Sequence, residues 1–220
     1  MTGLTHQLKT QRQQSESRRE KRQVDVMHRA TSDLLKKGIE KTALQTGDFI
    51  PRFQLENTRG ALLDSCDALK SGPVILSFYR GSWCPYCNLT LRAYQAHLAD
   101  IQTCGAQFVA VSPELRERAL ANARKFGLTF EMLSDAGNAV AKQFGLAYKM
   151  PAELTAVYLE LGTNIPRFNG DDSWELPVPA TYIVDTGGKI VFASINADYL
   201  QRIEPGRVIR ALKALQESPA

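Results

Sequence analysis

Apolar residues run from Pro73 to Tyr79 with only Ser77 to interrupt them, and this run predicts a strand over residues 74–79. Beyond it the period lengthens. Leu89, Leu91, Tyr94 and Leu98 form the apolar face of a helix over residues 87–102, and residues 107–111 read as a second strand. Ser112 and Pro113 are the residue types of an N-cap and a first helical position, so a helix is expected to run from there to Phe126, with Gly127 as its C-cap. A third strand is expected over 129–133, and helices over 138–144 and 151–161. Residues 162–176 carry turn formers and little periodicity. Two β-rich runs, 180–184 and 189–194, flank Asp185-Thr186-Gly187-Gly188 as a hairpin, and a closing helix spans 205–215.

At the N-terminus, Val24, Met27, Ala30, Thr31, Leu34 and Leu35 recur at intervals of three and four between basic residues, the pattern of an amphipathic helix. Residues before about Gln14 lack this pattern and are expected to be disordered. After Gly38 the chain changes character, and residues 46–55 read as a loop entering a short strand. The chain therefore divides into a basic helical arm, residues 1–42, and a folded body, residues 43–220. Alternating strands and helices that end in a hairpin and a helix predict an α/β fold, a mixed central sheet with helices on both faces and an N-terminal helical extension.

Composition changes this picture little. The 220 residues are 44% hydrophobic and 23% charged, ordinary values for a globular domain. The formal charge is +4, but Lys9–Lys41 hold ten Lys/Arg against five Asp/Glu, so the body is close to −1. The pI of 8.9 thus belongs to the arm and does not mark the body as a nucleic-acid or membrane binder. The expected role of the arm is to dock its apolar stripe on the body or on a second copy, which makes a homodimer through the arm an expectation. No apolar run approaches the roughly 18 residues of a spanning helix. The N-terminus is too polar for a secretory signal, so a cytoplasmic protein is expected.

The chemistry concentrates in Phe78-Tyr79-Arg80-Gly81-Ser82-Trp83-Cys84-Pro85-Tyr86-Cys87. A Cys-x-x-Cys pair at the mouth of a strand and the first turn of a helix can form a disulfide, and the helix N-terminus favours a thiolate there. Four cysteines in 24.4 kDa are too few for a disulfide scaffold, and one close pair suits transient disulfides in a reducing compartment. Cys66 and Cys104 read as packing residues. A zinc site wants about four ligands, and His6, His28 and His97 are scattered, so no metal is expected. There is no Gly-rich phosphate cradle, and no organic cofactor is implied.

The same motif, with Gly170-Asp171-Asp172-Ser173-Trp174-Glu175-Leu176-Pro177-Val178-Pro179-Ala180-Thr181-Tyr182-Ile183-Val184-Asp185 downstream, resembles the alkyl hydroperoxide reductase and thiol-specific antioxidant group of peroxiredoxin-like proteins. The resemblance covers residues 43–215 and implies a thioredoxin-like fold. It departs from the peroxiredoxin pattern at three places. Arg80 stands where a Pro belongs, Cys84 where a Thr belongs, and Pro179 where the Arg belongs, while Cys87 falls at the peroxidatic cysteine. Pro179 is instead placed like the cis-proline of thioredoxins, packed against the Cys-x-x-Cys pair. Ser77 stands where thioredoxins carry a buried acid, so that proton carrier is expected to be missing. Asp171, Asp172 and Glu175 precede Pro179 and could replace it, although a solvated loop is their simpler role.

Two enzymatic readings rest on Cys84 and Cys87. In the first, the resemblance implies thiol-dependent reduction of hydrogen peroxide or organic hydroperoxides, with the resulting disulfide reduced by thioredoxin or a similar dithiol donor. Arg80 would then supply the lost positive charge. The second is thioredoxin-like exchange with protein disulfides, with Cys84 attacking, Trp83 shielding the pair and Val178-Pro179 as backbone platform. A third reading, a non-enzymatic interaction module, would place function in the arm.

Overall fold

The structure, a computed structural model, describes residues 3–217. The arm holds α1 (Leu4–Ser17), α2 (Lys21–Lys36) and the short α3 (Ile39–Thr42). The body opens with β1 (Gln54–Asn57), β2 (Leu62–Asp64) and α4 (Ser65–Lys70). There follow β3 (Val74–Phe78), α5 (Pro85–Ala96), α6 (Leu98–Thr103), β4 (Gln107–Ser112), α7 (Arg116–Phe126) and β5 (Glu131–Ser134). Next come α8 (Ala139–Gln143), β6 (Ala147–Lys149), α9 (Ala152–Glu160), α10 (Ile165–Asn169) and β7 (Glu175–Pro177). The hairpin β8 (Ala180–Val184) and β9 (Ile190–Ile195) and the helix α11 (Pro205–Glu217) close the fold.

Seven strands form one mixed sheet in the order β2-β1-β5-β4-β3-β8-β9. β3 lies beside β4 in parallel and β8 in antiparallel register, with Phe78 opposite both Val111 and Ala180. All five residues of β3 are buried, as a strand covered on both faces requires. Its side chains alternate between two cores. Ile75 and Tyr79 face Leu91, Tyr94, Ile101 and Val208 on one side, while Leu76 and Phe78 face Val140, Phe144 and Tyr182 on the other. Phe78 packs on Phe144 at 4.8 Å between ring centroids. Each such aromatic burial contributes about 1.5–3 kcal/mol. The expected mixed sheet with helices on both faces is the fold observed, the thioredoxin-like arrangement that the motif implied.

Several local expectations are corrected. The stretch before Gln14 is helical: Leu4 and Leu8, four apart, are buried in the core beside α5, and the Glu204 carboxylate accepts from the backbone N–H groups of Leu4 (3.1 Å) and Thr5 (2.6 Å). A carboxylate at a helix N-terminus satisfies otherwise orphaned donors. Ser112 caps no helix. It ends β4, paired with Ser134 of β5, and the ladder outcompetes the cap, so α7 starts at Arg116. The helix after the cysteine motif is broken at His97, whose ψ of 11° leaves helical space before α6 turns Leu98 and Ile101 inward. Residues 162–176 are more regular than their composition implied, since buried Ile165 anchors α10 and β7 pairs with β6.

α2 is amphipathic as expected, but its buried residues are Gln23, Val26, Met27 and Leu34, while Leu35 is exposed. Val26 and Met27 pack with Leu154, Val157 and Tyr158 of α9, and Arg22 pairs with Glu160 at 2.6 Å on the rim. The stripe is thus covered by the chain's own body. Among the described residues no helix is long and apolar enough to cross a membrane.

Candidate active site

β3 delivers the chain to the site. Tyr79 still donates to Val111 O (2.9 Å), and Gly81 then turns at φ +141°, a region open to glycine. A Cβ there would lie 2.4 Å from Trp83 Nε1. Cys84 is the N-cap of α5, Pro85 its first residue, and Cys87 sits within its first turn. Both sulfurs thus lie at the positive end of a twelve-residue helix. Cys84 is 1% exposed and Cys87 fully buried.

The two thiols are not equivalent. Burial pushes Cys87 up, but the Cys84 thiol donates to it, the guanidinium groups of Arg202 and Arg80 stand near it, and the Arg80 backbone N–H donates to it; together these bring it down to about 5. Burial and the adjacent Cys87 push Cys84 well above the usual thiol range. One negative charge is therefore shared by the pair and resides on Cys87. Arg202 Nη2 lies 3.6 Å from Cys87 Sγ, and its Nη1 is anchored on the carbonyls of Tyr199 (2.5 Å) and Gln201 (2.6 Å).

Arg80 is 1% exposed. Its guanidinium stands 4.4 Å from the ring centroid of Tyr199, 4.9 Å from Trp83 and 5.7 Å from Tyr158, and its Nη2 donates to Tyr158 Oη at 2.5 Å. Stacking on aromatic faces compensates part of its desolvation. Among the described residues, Arg80 Nε and Trp83 Nε1 are buried donors without a hydrogen-bond partner. The charge expected from Arg80 is thus beside the pair, but the guanidinium that bonds the sulfur is that of Arg202.

A buried acid is present after all, from another element. Glu114, in the turn after β4, accepts from Ser82 N (2.9 Å) and Ser82 Oγ. Burial raises it to about 6 against these donors, and its charge and that of Cys87 each disfavour the other. The same loop is tied further by Asn88 Nδ2 to Ser82 O (2.8 Å) and Asn122 Nδ2 to Asn88 Oδ1 (3.1 Å). Ser77 is buried in the ladder opposite Thr181. Asp171 accepts from Ser173 N, Glu175 pairs with Lys142 and Asp172 is exposed, so the acids before Pro179 serve their own loop.

Pro179 lines a narrow crevice with Cys87, Thr181 and Arg202. The peptide bond before it is trans, not the expected cis: no described bond is cis, and Pro179 enters β8 extended, its carbonyl accepting from Asn196 N (3.0 Å) to continue the ladder with β9. Trp83 meets Tyr158 edge to face at 5.7 Å and, with Cys84, lines a cavity of about 170 Å³. Cys66, expected to be a packing residue, is instead exposed on α4, while Cys104 is buried at the end of α6 as expected. Among the described residues no three His, Cys, Asp or Glu side chains are grouped to hold a metal ion.

Arg202 and Glu114 are the two site residues that sequence reasoning missed. Arg202 lies in an aperiodic stretch 115 positions from Cys87, and Glu114 hides inside the Ser-Pro-Glu signature of a helix start.

Comparison with known proteins bears on the family and the fold. The family model described as AhpC/TSA family matches residues 46–193. A chloroplastic peroxiredoxin Q of Sedum lineare is 29% identical over 171 residues, 77% of this chain and 77% of that protein. A putative peroxiredoxin of Mycobacterium tuberculosis is 29% identical over 155 residues, 70% of this chain and 87% of that protein. Among solved structures, peroxidoxin BcpB of Mycobacterium tuberculosis is similar at a TM-score of 0.62 and 22% identity, covering 78% of this chain and 98% of that one. Enterococcus faecalis AhpC gives 0.62 at 20% identity, covering 79% and 93%.

Proposed function

The chain belongs to the AhpC/TSA family, and from that premise we propose that it is a thiol peroxidase in which Cys87 attacks the peroxide and Cys84 resolves the product. The observation that carries the reading is the asymmetry of the pair: Cys87 is the sulfur with a guanidinium at 3.6 Å and a thiol donor beside it. A thiolate is the nucleophile that O–O cleavage needs.

In the first step the Cys87 thiolate bonds to the distal peroxide oxygen and the O–O bond breaks, leaving its electron pair on the departing oxygen, which takes up a proton as water or an alcohol. Arg202, placed beside the sulfur, supplies the positive charge for that oxygen which the family pattern would put at Pro179. Cys84 then condenses with the Cys87 sulfenic acid, giving the disulfide and releasing water. Reduction by a thiol donor then restores the pair. A pair that must be re-reduced in every cycle suits a reducing compartment, here the cytoplasm.

Exchange with protein disulfides fits less well. It needs an accessible low-pKa thiolate at Cys84, and Cys84 is 1% exposed and held protonated.

Stopped-flow mixing of the reduced protein with hydrogen peroxide, followed by Trp fluorescence, tests the reading. Fast oxidation is expected in the Cys84→Ser variant and none above the free-thiol rate in Cys87→Ser; the reverse pattern would hand the attack to Cys84.

A further inference from the structure

The cavity that Cys84 lines does not stop at Arg80. Arg80 and Tyr199 also line a second cavity of about 340 Å³, which continues beneath α2 between Leu34 and Lys37 on one side and Tyr148 and Lys149 on the other. The two cavities share Arg80 and Tyr199 as walls, and Cys84 lines the smaller; together they make up a groove between arm and body. Together they reach the range of about 300–1,000 Å³ of small-ligand sites.

The groove has a sign. Its walls carry Arg19, Lys37, Arg80 and Lys149 against one carboxylate, Asp33, and that carboxylate already pairs with Lys36 at 3.3 Å. Arg80, in the wall that both cavities share, carries a hydrogen-bond donor that nothing among the described residues satisfies, its Nε. Buried donors without acceptors are uncommon, and a ligand that brings acceptors relieves them. Carboxylate oxygens do this best, since they only accept.

The chemistry at Cys84 narrows the ligand further. Thiol–disulfide exchange proceeds faster when the departing sulfur is the better-stabilised thiolate. That sulfur is Cys87, held by Arg202, so a nucleophile should strike Cys84, and Cys84 is the sulfur that faces the groove. At 1% exposure, behind Trp83 and Tyr86, it is within reach of a slender molecule and poorly placed for a cysteine borne on a protein surface.

We propose that this groove binds a small thiol carrying carboxylates, which reduces the Cys84–Cys87 disulfide by attacking Cys84. The proposal rests on the reading of the two cysteines as a pair that cycles. The donor thiolate bonds to Cys84 Sγ as the Sγ–Sγ bond breaks, and the electron pair stays on Cys87 as thiolate. A second donor thiolate attacks the donor sulfur of the mixed disulfide, giving the donor's own disulfide and releasing Cys84, which takes up a proton. Two thiols are oxidised and the protein disulfide gains two electrons.

The test uses full-length protein oxidised with one equivalent of hydrogen peroxide, then mixed in stopped flow with reduced glutathione, with the cationic thiol cysteamine, or with reduced thioredoxin. The expected result is a reduction rate that saturates with glutathione, a linear dependence on cysteamine, and competition by S-methylglutathione, which has the carboxylates but no thiol. Lys37→Glu with Lys149→Glu should raise the half-saturating glutathione concentration by about tenfold, a change of about 1.4 kcal/mol. Equal, unsaturated rates for glutathione and cysteamine after correction for thiolate fraction would overturn the proposal. So would thioredoxin acting faster than saturating glutathione. The preceding oxidation step is recorded separately: slow oxidation by peroxide would count against the peroxidase reading, whereas fast oxidation followed by unselective reduction would count against the groove alone.

Discussion

Arg202 Nη2 stands 3.6 Å from Cys87 Sγ although 115 residues separate them. The Arg comes from the loop between β9 and α11, not from the start of β8, where the resemblance would lead one to expect an Arg. Replacing Arg202 by Met should move the Cys87 titration from about 5 toward the ordinary thiol range, read as thiolate absorbance against pH. Loss of one such donor should slow peroxide reduction by at least about tenfold at neutral pH, with part of the loss recovered at alkaline pH where the thiolate re-forms.

Cys84 and Cys87 should separate by product as well as by rate. In Cys84→Ser the hydroxyl can still donate to the Cys87 sulfur, so oxidation proceeds but stops at the sulfenic acid, which dimedone traps and mass spectrometry counts. Wild-type protein should yield no adduct after one turnover, only an intramolecular disulfide.

Glu114 carries a stability cost at neutral pH. Its folded value, about 6, lies above the ordinary 4.5, so its contribution favours folding when protonated and is lost as pH rises through about 6. The displacement corresponds to about 2 kcal/mol. Glu114→Gln retains an acceptor for Ser82 and should be more stable than wild type at pH 7.5. Its advantage should shrink toward pH 4.5, a difference that urea midpoints measured at the two pH values will report.

Glu204 caps α1 from a position two residues beyond Arg202. Glu204→Ala removes acceptors from Leu4 N and Thr5 N and should cost about 1 kcal/mol. Amide exchange should accelerate along Leu4–Ser17 first. Because the carboxylate sits below its usual range, wild-type protein should approach the variant as acid titrates the cap away.

Gly81→Ala should disturb the loop more than its size implies. The added Cβ would stand 2.4 Å from Trp83 Nε1 at φ +141°, where side chains are strained. A loss of about 1–3 kcal/mol and a shifted Trp emission are expected.

The parts of this molecule legible in advance are those whose signal is local. The run from Pro73 to Tyr79 can hardly be other than a buried strand, the spacing of Cys84 and Cys87 places both at a helix start, and Asp185 to Gly188 turns a hairpin. What escaped depends on contacts across the fold. Leu4 and Leu8 make too thin a stripe to announce α1, and only the surface of α5 and the Glu204 cap complete it. Ser112 carries the grammar of a cap, yet its pairing with Ser134 decides its state. Arg202 and Glu114 reach the site from loops that carry no periodicity, and Pro179 takes the geometry of the strand it enters.

The cations around Cys87 also govern the direction in which electrons move. A thiolate held well below the ordinary thiol range by Cys84, Arg202 and Arg80 favours the reduced form at neutral pH and so moves the couple toward the oxidising side. The disulfide is accordingly a ready electron acceptor. The arrangement that primes the sulfur for attack also lets a weak reductant complete the cycle, and it makes the protein ill suited to reducing the stable disulfides of others.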